Sequence, residues 1–388
     1  MKKYFSGLTR NTFLLTLSSL FSDISTEMLY PVLPVFITQV LKDSPAIVGV
    51  IEGAATAIQY VIQGFSGWLS DRFQRKKPIA LFGYALSALS KPFIGASVVW
   101  QQVLVGRFFD RLGAGTRSAP RDALIAGSVS ENIRGKAFGL EGIGDNMGAF
   151  LGPLIAIALL YLLHVHLRSI FFLAFIPGAL AFCMVLLVKE KREVKKEKTV
   201  IRFSRSSFPK SYWKYIFVTL LFGIGNSSNA FLILQAQHLG ISLFITILIY
   251  SGFNLVAAIT SYPAGTLSDK IGRKRILLFG FLIFAITYLG FGASQNVLII
   301  GSLFLLYGIY SGIYRAVGKA YATDGISPQF RATSIGIFST AVGLSGLVAS
   351  IVGGQLWVKA GPHATFYYGA IFAILASISL LFLKENRG

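Results

Sequence analysis

The stretch Gly67-Trp-Leu-Ser-Asp71-Arg-Phe-Gln-Arg75-Lys76 occurs a second time as Gly265-Thr-Leu-Ser-Asp269-Lys-Ile-Gly-Arg273-Lys274. The two copies are identical at six of ten positions and lie 198 residues apart. The same offset places Arg117 on Arg315. Self-similarity at a fixed spacing indicates an internal duplication, so the chain is predicted to consist of two similar halves.

The composition around these copies indicates a membrane protein. Of 388 residues, 54% are hydrophobic and only 13% are charged, whereas charged residues make up about a quarter of a soluble domain. A spanning helix needs about 20 apolar residues, and the apolar runs are continuous, which excludes a β-barrel. Twelve spans are predicted, near residues 11–39, 45–69, 78–99, 101–126, 136–162, 167–188, 213–235, 242–263, 275–293, 296–321, 332–357 and 364–384.

The basic residues predict how these spans are oriented. If the N-terminus is cytoplasmic, 26 Lys and Arg residues fall in inner segments and three in outer loops. Positive charge accumulates in cytoplasmic loops, so both termini are predicted to be cytoplasmic. The polar segment 189–214 separates six spans from six, and it is interpreted as a basic cytoplasmic linker between bundles at 1–188 and 215–388. No small-residue cleavage site follows the basic start, so removal of a signal peptide is not expected.

The repeated stretch lies between the second and third spans, with its copy between the eighth and ninth. It resembles the signature loop of the major facilitator superfamily, and the twelve-span layout matches over the whole chain. The resemblance implies an all-α fold of two pseudo-symmetric six-helix bundles, with alternating access to a cavity lined mainly by helices 1, 4, 7 and 10. In the fifth span, Gly144-x3-Gly148-x3-Gly152-Pro153 resembles the motif of the drug/proton antiporter branch, mostly exporters, although Ala156-Ile157 replaces its final glycine pair.

Charged residues inside the spans are the candidates for function. The seven acids are Asp23, Glu27, Glu52, Asp110, Asp122, Glu141 and Asp145, and the seven bases are Lys91, Arg107, Arg111, Arg117, Arg121, Arg315 and Lys319. At about 3 kcal/mol each, fourteen unpaired charges would cost on the order of 40 kcal/mol. Most of them are therefore expected to pair, to face a watery cavity or to lie near an interface.

The fourth and fifth spans form an antiparallel hairpin, which predicts specific pairs. Residues at equal distance from its loop lie at equal depth, so Arg117 is expected opposite Asp145 and Arg121 opposite Glu141. Asp110 lies on the same face of the fourth span as these arginines. The pairs are either permanent fasteners or contacts that break and re-form as the bundles rock.

Asp23 and Glu27 are the leading candidates for proton coupling. They are four residues apart near the middle of the first span, where desolvation and like charge both disfavour ionisation. At least one is expected to stay protonated near neutral pH, which suits a carrier that loads a proton on one side and releases it on the other. The alternative is a static bond to an arginine or hydroxyl. Asp110, Glu141 and Asp145 are further proton-coupling candidates.

The second half has bases in its spans but no acid. Its first span has Asn226-Ser-Ser-Asn229 in place of the Asp23 and Glu27 pair. The predicted substrate-binding residues are Arg117, Arg315, Asn226, Asn229 and Tyr30. The predicted conformational latch comprises Asp71, Arg75, Arg121, Asp269, Arg273 and Lys319, with Lys319 expected to serve Asp269.

The sequence offers no sign of other chemistry. It has no Walker-type loop or nucleophile motif, and its four histidines are too sparse for a metal site. We therefore expect no enzyme activity, cofactor, metal centre or nucleic-acid partner. The function predicted is a monomeric, proton-coupled secondary transporter in the lipid bilayer of the bacterial inner membrane, moving a small organic solute, with efflux favoured. Alternatives are uptake or exchange of an organic anion, export of a metal or metal chelate, or a membrane sensor that retains the fold.

Overall fold

The computed structural model describes residues 7–73, 75–130, 133–190, 208–327 and 330–383, with side chains at all of these except 67–73, 135 and 332. The first helices are α1 (Arg10–Glu27), α2 (Pro45–Phe73), α3 (Lys76–Ala96), α4 (Trp100–Gly127), α5 (Arg134–Ile157) and α6 (Leu167–Leu173 and Phe175–Leu186). The remaining helices are α7 (Lys210–Gly225 and Ala230–His238), α8 (Leu243–Ile271), α9 (Arg273–Ala293), α10 (Val297–Ala322), α11 (Arg331–Ala360) and α12 (Pro362–Leu381).

The predicted all-α membrane fold is confirmed. The helices lie where the spans are predicted, except that α1 ends at Glu27 and the rest of the first predicted span is a turn followed by the short helical segments Leu33–Val35 and Phe36–Val40. Ten of the described helical segments are long and apolar enough to cross a bilayer. Of the helices α1 to α12 in the described residues, α1 and α4 fall outside this set. The physical reason is their composition, because α1 carries two acids among many hydroxyl side chains and α4 carries six charged residues. Both helices therefore depend on neighbouring helices to compensate polar groups in lipid.

The chain separates into two compact units. Unit 1 comprises Met1–Lys42 and Ile58–Val194, and unit 2 comprises Asp43–Ala57 and Lys195–Gly388. The first half of α2 therefore groups with unit 2 by its contacts. Division of the chain at the linker 189–214 stays a prediction, and residues 191–207 of that segment lie outside the described residues.

Helices pair in the same way within each unit. In unit 1, α1 packs against α5 and α6, and α3 packs against α4 and α6. In unit 2, α7 packs against α11 and α12, and α9 packs against α10 and α12. Adding six to each helix number in these four pairs of unit 1 thus gives these four pairs of unit 2. The internal duplication seen in the sequence extends to the packing.

Glycines on α5 allow α1 to approach closely. A Cβ atom at Gly148 would lie 2.7 Å from the carbonyl oxygen of Leu20 and 2.7 Å from Cβ of Asp23. One turn further along α5, a Cβ at Gly152 would lie 2.8 Å from Cβ of Glu27. Small residues at such crossings let two membrane helices pack backbone to backbone. The α5 surface therefore fixes the position of both α1 carboxylates.

We expect Gly148→Ala to lower the stability of the protein, because the added methyl group forces α1 and α5 apart. Overpacking of this kind costs about 1–3 kcal/mol. The measurement is the apparent Tm of the purified protein in detergent. The matched control is Gly142→Ala on the same helix, where an added Cβ meets nothing within 4 Å. An equal Tm for both variants would contradict the packing described.

Candidate functional site

Asp110 of α4 is the centre of a buried group of charges, which we call the Asp110 cluster (Ser87, Lys91, Arg107, Asp110 and Arg111). Its carboxylate oxygens lie 2.8 Å from Arg107 Nη1 and 3.2 Å from Lys91 Nζ. Arg111 Nε lies 3.7 Å away, and the Ser87 hydroxyl donates a hydrogen bond of 2.6 Å. The side chains of Asp110, Lys91 and Arg107 are each only 2% exposed.

These contacts tie α4 to α3 by ion pairs shielded from water. The Lys91 ammonium also donates to the main-chain oxygen of Ser87 at 3.1 Å. A buried carboxylate held by several cations and a hydroxyl is a fixed structural anion. Sequence reasoning counted Lys91 among the buried bases without giving it a partner, and it missed Ser87. The signal was present, since Gly83, Ser87 and Lys91 recur every fourth residue on one face of an otherwise apolar helix.

A second group lies nearer the C-terminal end of α4, and we call it the Arg121 cluster (Ser19, Arg121, Asp122, Glu141 and Asp145). Arg121 Nη2 lies 2.8 Å from Glu141 and 3.0 Å from Asp122, while Nη1 lies 3.6 Å from Asp145. Nη1 also donates to the Ser19 hydroxyl at 2.9 Å, and that hydroxyl donates to Glu141 at 3.1 Å. The predicted pair of Arg121 and Glu141 is present and joins α4 to α5 and α1.

The expected pair of Arg117 and Asp145 is not formed. The Arg117 guanidinium instead lies 4.7 Å from the centroid of the Tyr84 ring, a cation–π arrangement that stabilises a buried cation without an acid. Arg121 reaches both Glu141 and Asp145 because the two acids are one turn apart on α5. Asp145 Oδ1 is buried and has no hydrogen-bond partner among the described residues.

Asp23 lies on α1 beside these groups. It is partly buried, and it makes no hydrogen bond or ion pair with any residue in the described ranges. The charged groups close enough to act on it are Asp145, Arg117, Glu27 and Arg121. Glu27 lies one turn further along α1, over Gly152 of α5. The first-span acids predicted from the sequence therefore share one region of unit 1 with Glu141 and Asp145.

In unit 2, the corresponding first helix is interrupted between Gly225 and Ala230, where the predicted asparagines lie. Asn226 Nδ2 donates to the Tyr310 hydroxyl at 3.0 Å, and the Tyr307 hydroxyl donates to Asn229 Oδ1 at 2.9 Å. Both tyrosines are on α10 and are nearly buried. Sequence reasoning missed them, although Tyr307, Tyr310 and Tyr314 recur along one face of α10. This region carries amide and phenol groups rather than carboxylates.

The second copy of the repeated stretch takes part in ion pairs inside unit 2. Arg273, at the start of α9, pairs with Asp269 at 3.3 Å and with Asp324, and it donates to the main-chain oxygen of Ala320 at 2.8 Å. Lys319 is expected from the sequence to serve Asp269, and the structure shows Arg273, one turn along from Asp269, paired with that carboxylate. The guanidinium ties the start of α9 to the end of α10.

The other predicted site residues are placed as follows. Arg315 and Lys319 of α10 are exposed, as is Arg75, and Tyr30 is half-buried in the turn after α1. The side chain of Asp71 lies outside the described residues. Within the described ranges, no group of three or more His, Cys, Asp or Glu is placed to hold a metal ion.

Comparison with known proteins connects this architecture to a family. The family model of the Major Facilitator Superfamily matches residues 15–234 and 215–388. The chain is 35% identical over 384 residues to the uncharacterised MFS-type transporter MJ1317 of Methanocaldococcus jannaschii. This alignment covers 97% of this chain and 95% of the relative. It is 26% identical over 319 residues to the multidrug resistance protein MdtG of Serratia proteamaculans. That alignment covers 78% of this chain and 76% of the relative. The crystal structure of a bacterial homologue of the human lysosomal transporter Spinster has the same fold, with a TM-score of 0.75 at 17% identity over all of both chains.

We expect Asp110→Asn to destabilise the protein strongly, because Lys91 and Arg107 would lose their shared buried counter-ion. Removing one member of a buried ion pair costs about 3–5 kcal/mol. Asp122→Asn on the same helix is the matched control, since its carboxylate is 46% exposed and an exposed pair contributes about 0–1 kcal/mol. The measurement is the apparent Tm of each variant in detergent, compared with the wild type. A smaller loss for Asp110→Asn than for Asp122→Asn would show that the Asp110 cluster is not the fastener described.

Proposed function

Since the chain belongs to the major facilitator superfamily and is a multi-pass membrane transporter, we propose that it exports a small organic solute in exchange for protons. In this proposal it works as a monomer in the bacterial inner membrane, with both termini in the cytoplasm and its bundles divided at the linker. Export is supported by the likeness to a multidrug resistance protein and by the glycine series on α5.

The observation that carries proton coupling is the surplus of carboxylates around two guanidinium groups. In the described part of unit 1, Arg117 and Arg121 lie among five acids: Asp23, Glu27, Asp122, Glu141 and Asp145. Asp122 is exposed enough for water to solvate it. Glu141 is buried and Asp23 is partly buried, and an uncompensated negative charge is costly in such surroundings. Protons are the smallest charges that neutralise such a surplus, and they leave again when the site opens to water.

The two arginines have different roles in this proposal: Arg121 stays in place and Arg117 moves. Arg121 is held by Glu141 and Ser19 at hydrogen-bond distance, so it anchors one end of the group. Arg117 rests on the Tyr84 ring and is free of any acid at ion-pair distance among the described residues. A swing of Arg117 from Tyr84 toward Asp23 would neutralise that carboxylate without a proton. Protonation of Asp23 and approach of Arg117 are then alternatives, and each favours a different state of the transporter.

The carriers proposed are Asp23 and Glu27, with Asp145 as the group that exchanges protons with Asp23. Asp145 has an oxygen without a hydrogen-bond partner in the described residues, which leaves room for a proton or a water molecule. Asp110 is left out of the proton pathway, because three cations and a hydroxyl already hold it in a buried site. Asn226, Asn229 and Tyr30 remain the proposed substrate contacts, joined by Tyr307 and Tyr310, whose rings and hydroxyls suit a solute with an apolar planar part.

We expect Asp23→Asn and Glu27→Gln to abolish the dependence of transport on a pH gradient, because an amide cannot carry a proton. The measurement is flux of organic solutes, with ethidium as the first probe, in proteoliposomes under an imposed gradient. Asp43→Asn, in the loop between α1 and α2, is the control and should retain wild-type coupling. Unchanged coupling in both single variants and in the double variant would remove the α1 acids from the mechanism.

A second candidate is uptake or exchange of an organic anion. It is favoured by Arg315, which is exposed on α10 and has no acidic partner among the described residues. A substrate carboxylate or phosphate could supply the missing charge.

This alternative predicts that Arg315→Gln abolishes transport of anionic solutes, while Arg331→Gln, which replaces another exposed arginine of unit 2, leaves it intact. Competition by a panel of organic anions in the same proteoliposomes measures the effect. Normal anion flux in Arg315→Gln would exclude this reading and leave the export proposal in place.

A further inference from the structure

Unit 1 contains a cavity whose lining includes no residue of the Asp110 cluster or the Arg121 cluster. It lies where α1 begins and where α4 and α6 end, and its volume is about 330 Å³. Its lining includes Arg10, Asn11, Lys76, Leu124, Lys189 and Glu190. We call it the basic cavity. The transport mechanism proposed above does not use it.

The charged lining of the basic cavity is predominantly cationic. Three bases, Arg10, Lys76 and Lys189, face one acid, Glu190. The Glu190 carboxylate is already engaged, since it accepts hydrogen bonds from the main-chain nitrogens of Lys76 at 2.6 Å and Lys77 at 3.3 Å. It therefore compensates the N-terminus of α3, where main-chain N–H groups favour an anion. Arg10 and Lys189, which have no acidic partner among the described residues, can therefore hold the negative charge of a ligand from outside the chain.

One wall of the cavity is held in place by hydrogen bonds. Asn11 Nδ2 donates to the main-chain oxygen of Lys189 at 2.7 Å, and the main-chain nitrogen of Lys189 donates to Asn11 Oδ1 at 3.1 Å. This reciprocal pair connects the start of α1 to the segment after α6. Arg10 and Lys189 are consequently fixed on adjacent parts of the rim. A preformed site binds without the cost of ordering its wall.

Part of the lining is apolar. Leu124 of α4 is buried at 6% exposed, while Leu187 after α6 is 50% exposed and presents an aliphatic side chain to the surroundings. Cations beside aliphatic side chains match a molecule that joins a negative group to a hydrocarbon part. Basic pockets between membrane helices recognise anionic lipid head groups by this combination.

From these observations we propose that the basic cavity binds a phosphate group, supplied by the head group of an anionic glycerophospholipid. The ends of membrane helices lie at the depth of lipid head groups, and the volume is within the range of small-ligand sites, roughly 300–1,000 Å³. The guanidinium of Arg10 and the ammonium of Lys189 contact the phosphate oxygens, while the start of the acyl chains lies against Leu124 and Leu187. A free phosphate compound has the same anionic chemistry, so the test distinguishes the two sources.

The test is native mass spectrometry of the delipidated full chain with added phosphatidylglycerol or phosphatidylcholine. We expect the wild type to retain phosphatidylglycerol in preference. The double variant Arg10→Gln/Lys189→Gln should reduce this retention by about tenfold or more, because each basic residue contributes a comparable attraction to an anionic lipid. Lys136→Gln is the matched control, since Lys136 is exposed at the start of α5 and does not line the cavity.

A second arm measures the Tm of the same proteins with inorganic phosphate or glycerol phosphate against chloride at equal ionic strength. A phosphate-specific rise that the double variant loses, without preference for phosphatidylglycerol over phosphatidylcholine, would assign the site to a soluble phosphate and overturn the lipid assignment. Equal retention of phosphatidylglycerol by the wild type and the double variant, with no phosphate-specific rise, would overturn the site itself. A loss of phosphatidylglycerol retention in Lys136→Gln equal to the loss in the double variant would also overturn the site.

Discussion

The need to compensate charge in a low-polarity environment governs this structure. Helix α4 carries six charged residues through a region where each unpaired charge costs about 3 kcal/mol. The helix is stable in this region because neighbouring helices supply oppositely charged side chains along its length. Lys91 of α3 meets Asp110, and Glu141 of α5 meets Arg121. Ion pairs and hydroxyls thus take the place that apolar packing has in the other helices, and they determine which faces of α3, α4 and α5 meet.

Close backbone packing and charge placement act together on α1. The glycines of α5 bring α1 near enough for Asp23 and Glu27 to lie over Gly148 and Gly152. A bulkier α5 would hold these acids away from Arg117, Arg121 and Asp145. The glycine series that resembles an antiporter motif therefore has a direct physical effect, because it determines how strongly the acids of two helices interact.

The two units share their helix pairing but differ in chemistry. Unit 1 places carboxylates and guanidinium groups between α1, α4 and α5, whereas unit 2 places asparagine and tyrosine groups between α7 and α10. Both units keep the Asp, Arg and Lys residues of the repeated stretch. In unit 2, Arg273 of this stretch pairs with Asp269 and with Asp324. The proposed function assigns proton handling to unit 1 and uncharged solute contacts to unit 2 on the basis of this asymmetry.

The amino-acid sequence alone determined the twelve helices, the internal duplication, the family resemblance and the inventory of buried charges. These features depend on the length of apolar runs, the period of the repeat and the identity of each side chain, all of which are local. It also predicted the Arg121–Glu141 pair, since a hairpin sets the depth of facing residues. Only the tertiary structure decided that Asp110 pairs with Lys91, that Arg117 rests on Tyr84 and that Asp145 turns to Arg121. Partner choice depends on the rotation of each helix about its axis and on contacts between distant segments, and neither is encoded in the spacing of residues along one helix.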